Sequence, residues 1–95
     1  MYKINFSKVA LKNLVEQAKY IYEQTKSEEL ADRYLDKMKS YIVGTLQNFP
    51  KSGRATEELA ADSRKLVYQG YSIIYKIIGN EINILIIFRE NLPKF

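Results

Sequence analysis

The spacing of the apolar residues changes once along this chain, and that change limits the folds open to it. Between residues 8 and 49 apolar residues recur every three or four positions, which is the spacing of one helix face. Between residues 63 and 88 they form short runs rich in Val, Ile and Tyr, which are typical of β-strands. Because 95 residues make one domain of modest size, the helical half and the strand half must share a single core.

The first half predicts a short strand and two helices. Tyr2–Phe6 alternates apolar and polar residues, as a strand does, and Ser7 and Ser27 are good N-cap residues for the helices that follow. Pro50 ends the second helix. Because the connection between the helices is short, they should form an antiparallel hairpin whose apolar stripes face a common surface. The predicted stripes are Leu11, Leu14, Val15, Ala18, Ile21 and Tyr22 in the first helix, and Ala31, Tyr34, Leu35, Met38, Ile42, Leu46 and Phe49 in the second.

The second half predicts a three-stranded antiparallel meander after a loop over residues 50–63. The strands are Ser63–Tyr68, Tyr71–Ile78 and Glu81–Phe88, joined by two-residue turns at 69–70 and 79–80 that each contain a glycine. The first strand, Tyr2–Phe6, should add an edge to this sheet. The fold class is therefore α+β, a two-helix hairpin packed on a small antiparallel sheet.

Counting outward from those turns places Arg64 opposite Tyr75, and Tyr75 opposite Ile84. One sheet face, assigned to the helices, would then carry Leu66, Tyr68, Ile73, Tyr75, Ile77, Ile82, Ile84, Ile86 and Phe88. The other face would carry Lys65, Val67, Ser72, Ile74, Lys76, Asn83, Leu85, Ile87 and Arg89. On that second face Val67, Ile74, Leu85 and Ile87 would form an exposed apolar patch, which soluble monomers generally avoid. A partner chain, a second copy, or a bulge that alters the register should therefore account for it.

Composition excludes several kinds of chemistry. The chain has no Cys and no His, so disulfides, thiolate chemistry and the commonest general base and metal ligand are all missing. We therefore expect no metal site and no cofactor. The net charge of +4 is spread evenly and favours an acidic partner without identifying it as nucleic acid. With no secretion signal and no apolar stretch near ~20 residues, a soluble cytoplasmic protein without membrane contact is expected.

Four sequence strings resemble those of the RelE/ParE toxin superfamily. They are the helix exit Phe49-Pro-Lys-Ser-Gly-Arg54, Arg64-Lys-Leu66, Gly70-Tyr-Ser-Ile-Ile-Tyr-Lys-Ile77, and the last strand Ile82-Asn-Ile-Leu-Ile-Ile87. They occur in the family's order and spacing over nearly the whole chain. The resemblance implies the toxin of a type II toxin–antitoxin pair, or plasmid stabilisation protein, neutralised by a cognate antitoxin and acting on no small-molecule substrate.

The superfamily has two main activities, and the resemblance is nearer to the ParE branch. ParE-like toxins poison DNA gyrase without chemistry of their own, whereas RelE-like toxins cut messenger RNA on the ribosome with Lys, Arg and often Tyr residues. Ser72 stands where RelE-like sequences usually carry an Arg, and the chain stops at Phe95 without a tail bearing a catalytic Tyr. Arg89 in turn replaces the His that commonly ends the last ParE strand. A gyrase poison is therefore the first hypothesis, a ribosome-dependent endoribonuclease the second, and a non-toxic interaction module the third.

Each hypothesis has its own candidate residues. Arg64, Arg89, Leu92 and Phe95 are predicted to contact the target, and Lys65 and Arg89 would be catalytic if the chain were a nuclease. The apolar patch of Val67, Ile74, Leu85 and Ile87 would receive an antitoxin that folds on binding. Arg64 has an equally good structural interpretation, in which it anchors the long loop by pairing with Glu57, Glu58 or Asp62.

Overall fold

Two helices pack on one face of a five-stranded sheet in the computed structural model, which describes residues 1–89. This arrangement confirms the predicted α+β class and the predicted order of elements. The elements are β1 (Lys3–Phe6), α1 (Lys8–Thr25), α2 (Glu28–Asn48), β2 (Arg54–Ala55), β3 (Ser63–Tyr68), β4 (Tyr71–Ile78) and β5 (Glu81–Arg89).

The sheet order is β1-β5-β4-β3-β2, and its centre is the predicted antiparallel meander. Arg64 lies opposite Tyr75 and Tyr75 opposite Ile84, as the turn positions predict. Strand β1 is the expected edge strand, but it runs parallel to β5, so the sheet is mixed rather than wholly antiparallel. The two-residue strand β2, on the opposite edge, was not predicted and pairs with the start of β3.

Both helices begin where the sequence places their caps. The Ser7 hydroxyl accepts a hydrogen bond from the amide of Ala10 at 2.9 Å, and the Ser27 hydroxyl accepts one from the amide of Leu30 at 3.1 Å. Lys26 adopts the left-handed conformation that ends α1, with a φ of 57°. These local devices fix a tight hairpin, so the two helices cover the sheet together.

The core lies between this hairpin and the covered sheet face. Its buried residues are Ala10 and Leu14 of α1, Met38, Ile42 and Leu46 of α2, and Leu66, Tyr71, Ile73, Tyr75, Ile82, Ile84 and Ile87 of the sheet. Tyr34 and Leu35 of the predicted α2 stripe are partly buried against this cluster.

Part of the predicted stripe of α1 is wrong. Leu11, Val15 and Tyr22 are 48%, 67% and 42% exposed, whereas Ala10 and Leu14 are buried. Two adjacent apolar stripes run along this helix, offset by one residue, and the sheet is contacted by the one that includes Ala10 and Leu14. Phe49 is also not in the core, because α2 ends at Asn48 and the Phe49 side chain is 68% exposed.

The predicted faces of the last strand are correct up to Ile84 and wrong beyond it. The register between β4 and β5 shifts by one residue, since Tyr75 lies opposite Ile84 while Ile74 lies opposite Ile86. Leu85 is therefore the extra residue of a β-bulge, and the alternation of side chains is inverted after it. Ile87, opposite Ile73, is 1% exposed and belongs to the core, not to an exposed patch.

Candidate functional site

A network of hydrogen bonds holds the loop between α2 and β3 against the sheet. The Tyr75 hydroxyl donates to the carbonyl of Pro50 at 2.8 Å and accepts from the amide of Gly53 at 3.0 Å. Arg64 donates through Nε to the carbonyl of Gly53 at 2.8 Å and through its second terminal nitrogen to that of Lys51 at 3.1 Å. Two neighbouring side chains of the meander thus fix the loop at backbone groups, and we call this arrangement the loop lock.

Arg64 anchors the loop, as its structural interpretation predicts, but through carbonyl groups rather than carboxylates. Glu57 instead accepts from the amide of Asp62 at 3.1 Å, and Glu58 pairs with Arg54 at 3.3 Å on the surface. A guanidinium that donates to two fixed carbonyls has fewer donors left for an outside ligand. The loop lock therefore explains the position of the Arg64 side chain without any contact to a target.

Replacing Tyr75 with Phe tests the loop lock. The side chain is fully buried, so the change would leave the amide of Gly53 without its acceptor and the carbonyl of Pro50 without its donor. We expect a loss of about 1–3 kcal/mol in the free energy of unfolding, measured by urea denaturation. The control is Tyr22→Phe on the exposed side of α1, which should change stability by less than ~0.5 kcal/mol. Equal stabilities for the two variants would contradict the lock.

Arg89 and the tyrosines near it form a second cluster, at the end of β5. The bulge turns Arg89 toward the helices, so its predicted place on the other sheet face is wrong. Its guanidinium carbon lies 5.2 Å from the ring centroid of Tyr20 in α1 and 5.8 Å from that of Tyr71 in β4. The rings of Tyr71 and Tyr34 of α2 pack edge to face, with centroids 6.0 Å apart. We call Arg89, Tyr20, Tyr71 and Tyr34 the arginine–tyrosine cluster.

Hydrogen bonding and burial hold Tyr71 and Tyr34 in place as neutral phenols. Tyr71 donates to Oε1 of Gln17 at 2.8 Å. Burial, assisted by the neighbouring Tyr71 and Tyr68, raises the pKa of Tyr34 to about 12. Burial also raises the pKa of Tyr71, although the charge of Arg89 acts in the opposite direction. Neither phenol therefore supplies a negative charge for Arg89 at neutral pH.

The uncovered face of the sheet contains only part of the predicted apolar patch. Val67 is 53% exposed and Leu85 is half-buried, but Ile74, between Lys65 and Ile86 in the central strand, is 3% exposed. Because of the bulge, Ile86 and Phe88 lie on this face in place of Ile87. The apolar surface of this face therefore consists of Val67, Leu85, Ile86 and Phe88 rather than the four predicted residues.

The two candidate nuclease residues are not brought together. Lys65 alternates with Arg64 along β3 and so lies on the uncovered face, whereas Arg89 contacts tyrosines on the helix side. Of the predicted target-contacting residues, Arg64 and Arg89 are 25 positions apart in sequence and belong to separate clusters. Leu92 and Phe95 lie outside the described residues.

Sequence reasoning missed the helix residues of the second cluster. Asn13 accepts from the amide of Ile87 at 3.0 Å, and Gln17, one turn later, accepts from Tyr71. Asn13 and Gln17 both lie along the buried stripe of α1 that includes Ala10 and Leu14. Amide side chains one turn apart within a buried stripe were the signal that could have found them, because buried polar groups need a hydrogen-bond partner.

Within residues 1–89 no helix is both long and apolar enough to cross a membrane.

Comparison with known proteins identifies the family. The sequence profile described as the ParE toxin of the type II toxin–antitoxin system parDE matches residues 4–90. Several solved structures share the fold, two toxin–antitoxin systems among them. A chromosomal ParDE toxin–antitoxin system from P. aeruginosa has a TM-score of 0.77 at 22% identity, covering 96% of this chain and 98% of that one. The RelBE2 toxin–antitoxin complex from Mycobacterium tuberculosis has a TM-score of 0.68 at 18% identity, covering 94% and 98%.

Among curated proteins no sequence matches significantly. The family profile nevertheless spans almost the whole chain, from β1 to the end of β5. The chain therefore belongs to the ParE toxin family of type II toxin–antitoxin systems.

Proposed function

We propose that this toxin inhibits bacterial growth by interfering with DNA gyrase, and that a cognate antitoxin neutralises it in the cytoplasm. The observation that carries the proposal is the match of the ParE toxin profile over residues 4–90. The toxin would act by binding, because ParE-like toxins poison gyrase without bond-breaking chemistry of their own.

The distribution of cationic side chains supports binding over RNA cleavage. A nuclease of this size needs several groups that converge on one phosphate, to stabilise charge and to move a proton. Here Arg64 is engaged with loop carbonyls, and Arg89 and Lys65 lie on opposite sides of the sheet. The candidate residues Arg64, Lys65 and Arg89 therefore do not converge on one site.

Two observations support an antitoxin partner: the similarity to solved toxin–antitoxin structures and the exposed apolar side chains of this chain. The solved ParDE and RelBE2 structures are named as toxin–antitoxin assemblies. On this chain Val15, Leu30, Phe49 and Val67 expose apolar surface on different sides, at 67%, 45%, 68% and 53%. A segment that wraps around the toxin would cover several of these positions at once, as coupled folding and binding allows.

The proposal is tested by a pulse of expression in bacteria without the antitoxin, with growth and a DNA-damage reporter followed in one culture. We expect arrest together with strong reporter induction, because trapped gyrase complexes break DNA. The purified toxin should inhibit supercoiling by gyrase and leave ribosome-bound messenger RNA intact. The control is the Ile87→Asp variant, which should not fold. It should therefore neither arrest growth nor induce the reporter. Arrest with a silent reporter and cut messenger RNA would overturn the gyrase target, and continued growth with soluble protein would overturn toxicity.

A further inference from the structure

Arg89 is a half-buried cation without a carboxylate partner in the part of the chain that the structure describes. The ion pairs between residues 1–89 are Arg33 with Glu29 and Arg54 with Glu58, both on exposed helix or loop surface. Arg89 instead lies over the rings of Tyr20 and Tyr71. Arginine side chains that are withdrawn from water are normally paired with an acid, so among residues 1–89 the capacity of Arg89 to bind an anion is unused.

The cluster is built to hold the guanidinium rather than to neutralise it. Tyr71 is 3% exposed and is fixed by its hydrogen bond to Gln17 and by its edge contact with Tyr34. Tyr20, by contrast, is 38% exposed and forms the solvent side of the cluster. The rings therefore limit the positions that Arg89 can adopt while leaving one side of the cluster open. A donor restrained in this way loses less entropy when it binds a carboxylate.

The surroundings favour an acidic protein segment. Leu30, Arg33 and Lys37 line a shallow groove with Tyr34 on the neighbouring surface of α2. Arg33 is paired with Glu29, so Lys37 supplies the positive charge of this groove and Leu30 its apolar contact. Arginine and tyrosine side chains are also enriched among the residues that dominate protein interfaces. Nucleic acid fits less well, because phosphate backbones are bound by several cations in a row and the cluster itself contains one.

We propose that the arginine–tyrosine cluster is a receptor for an Asp or Glu side chain of the antitoxin segment that covers the toxin. The carboxylate accepts hydrogen bonds from the guanidinium of Arg89, and the apolar part of the segment packs on Tyr20 and in the groove beside Tyr34. This inference rests on the proposed antitoxin and is independent of the gyrase target.

The test compares Arg89→Gln with Arg54→Gln, which removes the same charge from an exposed surface pair. The probe is the small acidic protein that the proposed function predicts to be encoded beside the toxin gene. Its affinity for the toxin is measured by calorimetry. We expect Arg89→Gln to weaken binding roughly tenfold to a hundredfold, as the loss of a charge-assisted hydrogen bond does. Arg54→Gln should change the affinity less than about twofold. An Arg89→Gln affinity within twofold of wild type, in a variant with unchanged thermal unfolding, would overturn the receptor.

Two further measurements distinguish a carboxylate receptor from a general effect of positive charge. Arg89→Glu should abolish tight binding, and one Asp or Glu→Arg change in the partner should restore it.

Hexaglutamate added to the toxin alone should shift the Arg89 Nε–H resonance and leave that of Arg54 unchanged; equal shifts would contradict the proposal. If the neighbouring protein does not bind wild type, the proposed antitoxin fails, while the hexaglutamate titration still decides the receptor. Binding of single-stranded RNA that depends on Arg89 would overturn the choice of a protein partner.

Discussion

Gly53→Ala is expected to lower the free energy of unfolding by about 3 kcal/mol, the upper part of the range for overpacking a well-filled site. A Cβ on Gly53 would lie 2.6 Å from the carbonyl oxygen of Lys65 and 2.8 Å from a ring carbon of Tyr75. The first of these is backbone in the meander and the second belongs to a fully buried side chain, so neither can move without cost. In a domain of this size the melting temperature should fall by more than about 10 °C.

Gly44→Ala is the matched control, with the opposite expected sign. Gly44 lies inside α2, and nothing lies within 4 Å of its added Cβ. The change should raise the free energy of unfolding by about 0.5–1 kcal/mol, because alanine loses less backbone entropy in a helix. Thermal denaturation followed by circular dichroism measures both variants. A Gly53→Ala protein as stable as wild type would show that the loop does not pack closely against Lys65 and Tyr75.

The helix starts and the hairpin turns are encoded locally. The helix starts follow from Ser7 and Ser27, whose hydroxyls accept from amides three residues ahead. The hairpin turns follow from Gly70 and Gly79, which have φ angles of 86° and 59°. Both devices depend on a few adjacent residues, so the elements and the register near the turns are predictable from the chain itself.

Features that depend on distant partners were not predictable in the same way. α1 has two apolar stripes, and only its packing on the sheet decides that Leu14 is buried and Val15 exposed. The loop lock uses carbonyl groups, which every residue has, so no side-chain pattern identifies Pro50 or Lys51 as acceptors. The candidate sites follow the same rule, since Arg89 was identifiable as a strand-end cation but its tyrosine neighbours were not.

The bulge at Leu85 is the least local feature and the one with the widest effect. A run of Ile and Leu residues allows either alternation, because each side chain suits the core equally well. The hydroxyl of Ser7 donates to the carbonyl of Leu85 at 2.8 Å, so the residue that caps α1 also contacts the bulge. This hydrogen bond joins two residues that are 78 positions apart in sequence, and it holds the bulge in place. Beyond the bulge, the side chains of β5 point to the opposite faces of the sheet from those that a regular strand would give.

Ile86→Asp and Ile87→Asp should therefore differ sharply, although the two positions are adjacent. Ile87 is 1% exposed and faces the helices, so a carboxylate there would be buried without a partner. We expect a loss of more than about 4 kcal/mol, which approaches the whole free energy of unfolding of a domain at the lower end of the ~5–15 kcal/mol range. Ile86 is 37% exposed, and its replacement should cost about 1 kcal/mol, chiefly through the lower strand propensity of Asp.

Urea denaturation of both variants, with Ile87→Val as a mild control, decides between the bulged and the regular strand. Ile87→Val should cost about 1 kcal/mol and keep the cooperative transition, since it removes one methylene from the core. A regular strand without the bulge would reverse the order, because Ile86 would then lie beside Ile84 on the helix side and Ile87 would face solvent. Arg89 would also move to the face that carries Lys65. The same pair of variants thus tests the geometry that keeps these two cations apart, on which the preference for a binding toxin over a nuclease partly depends.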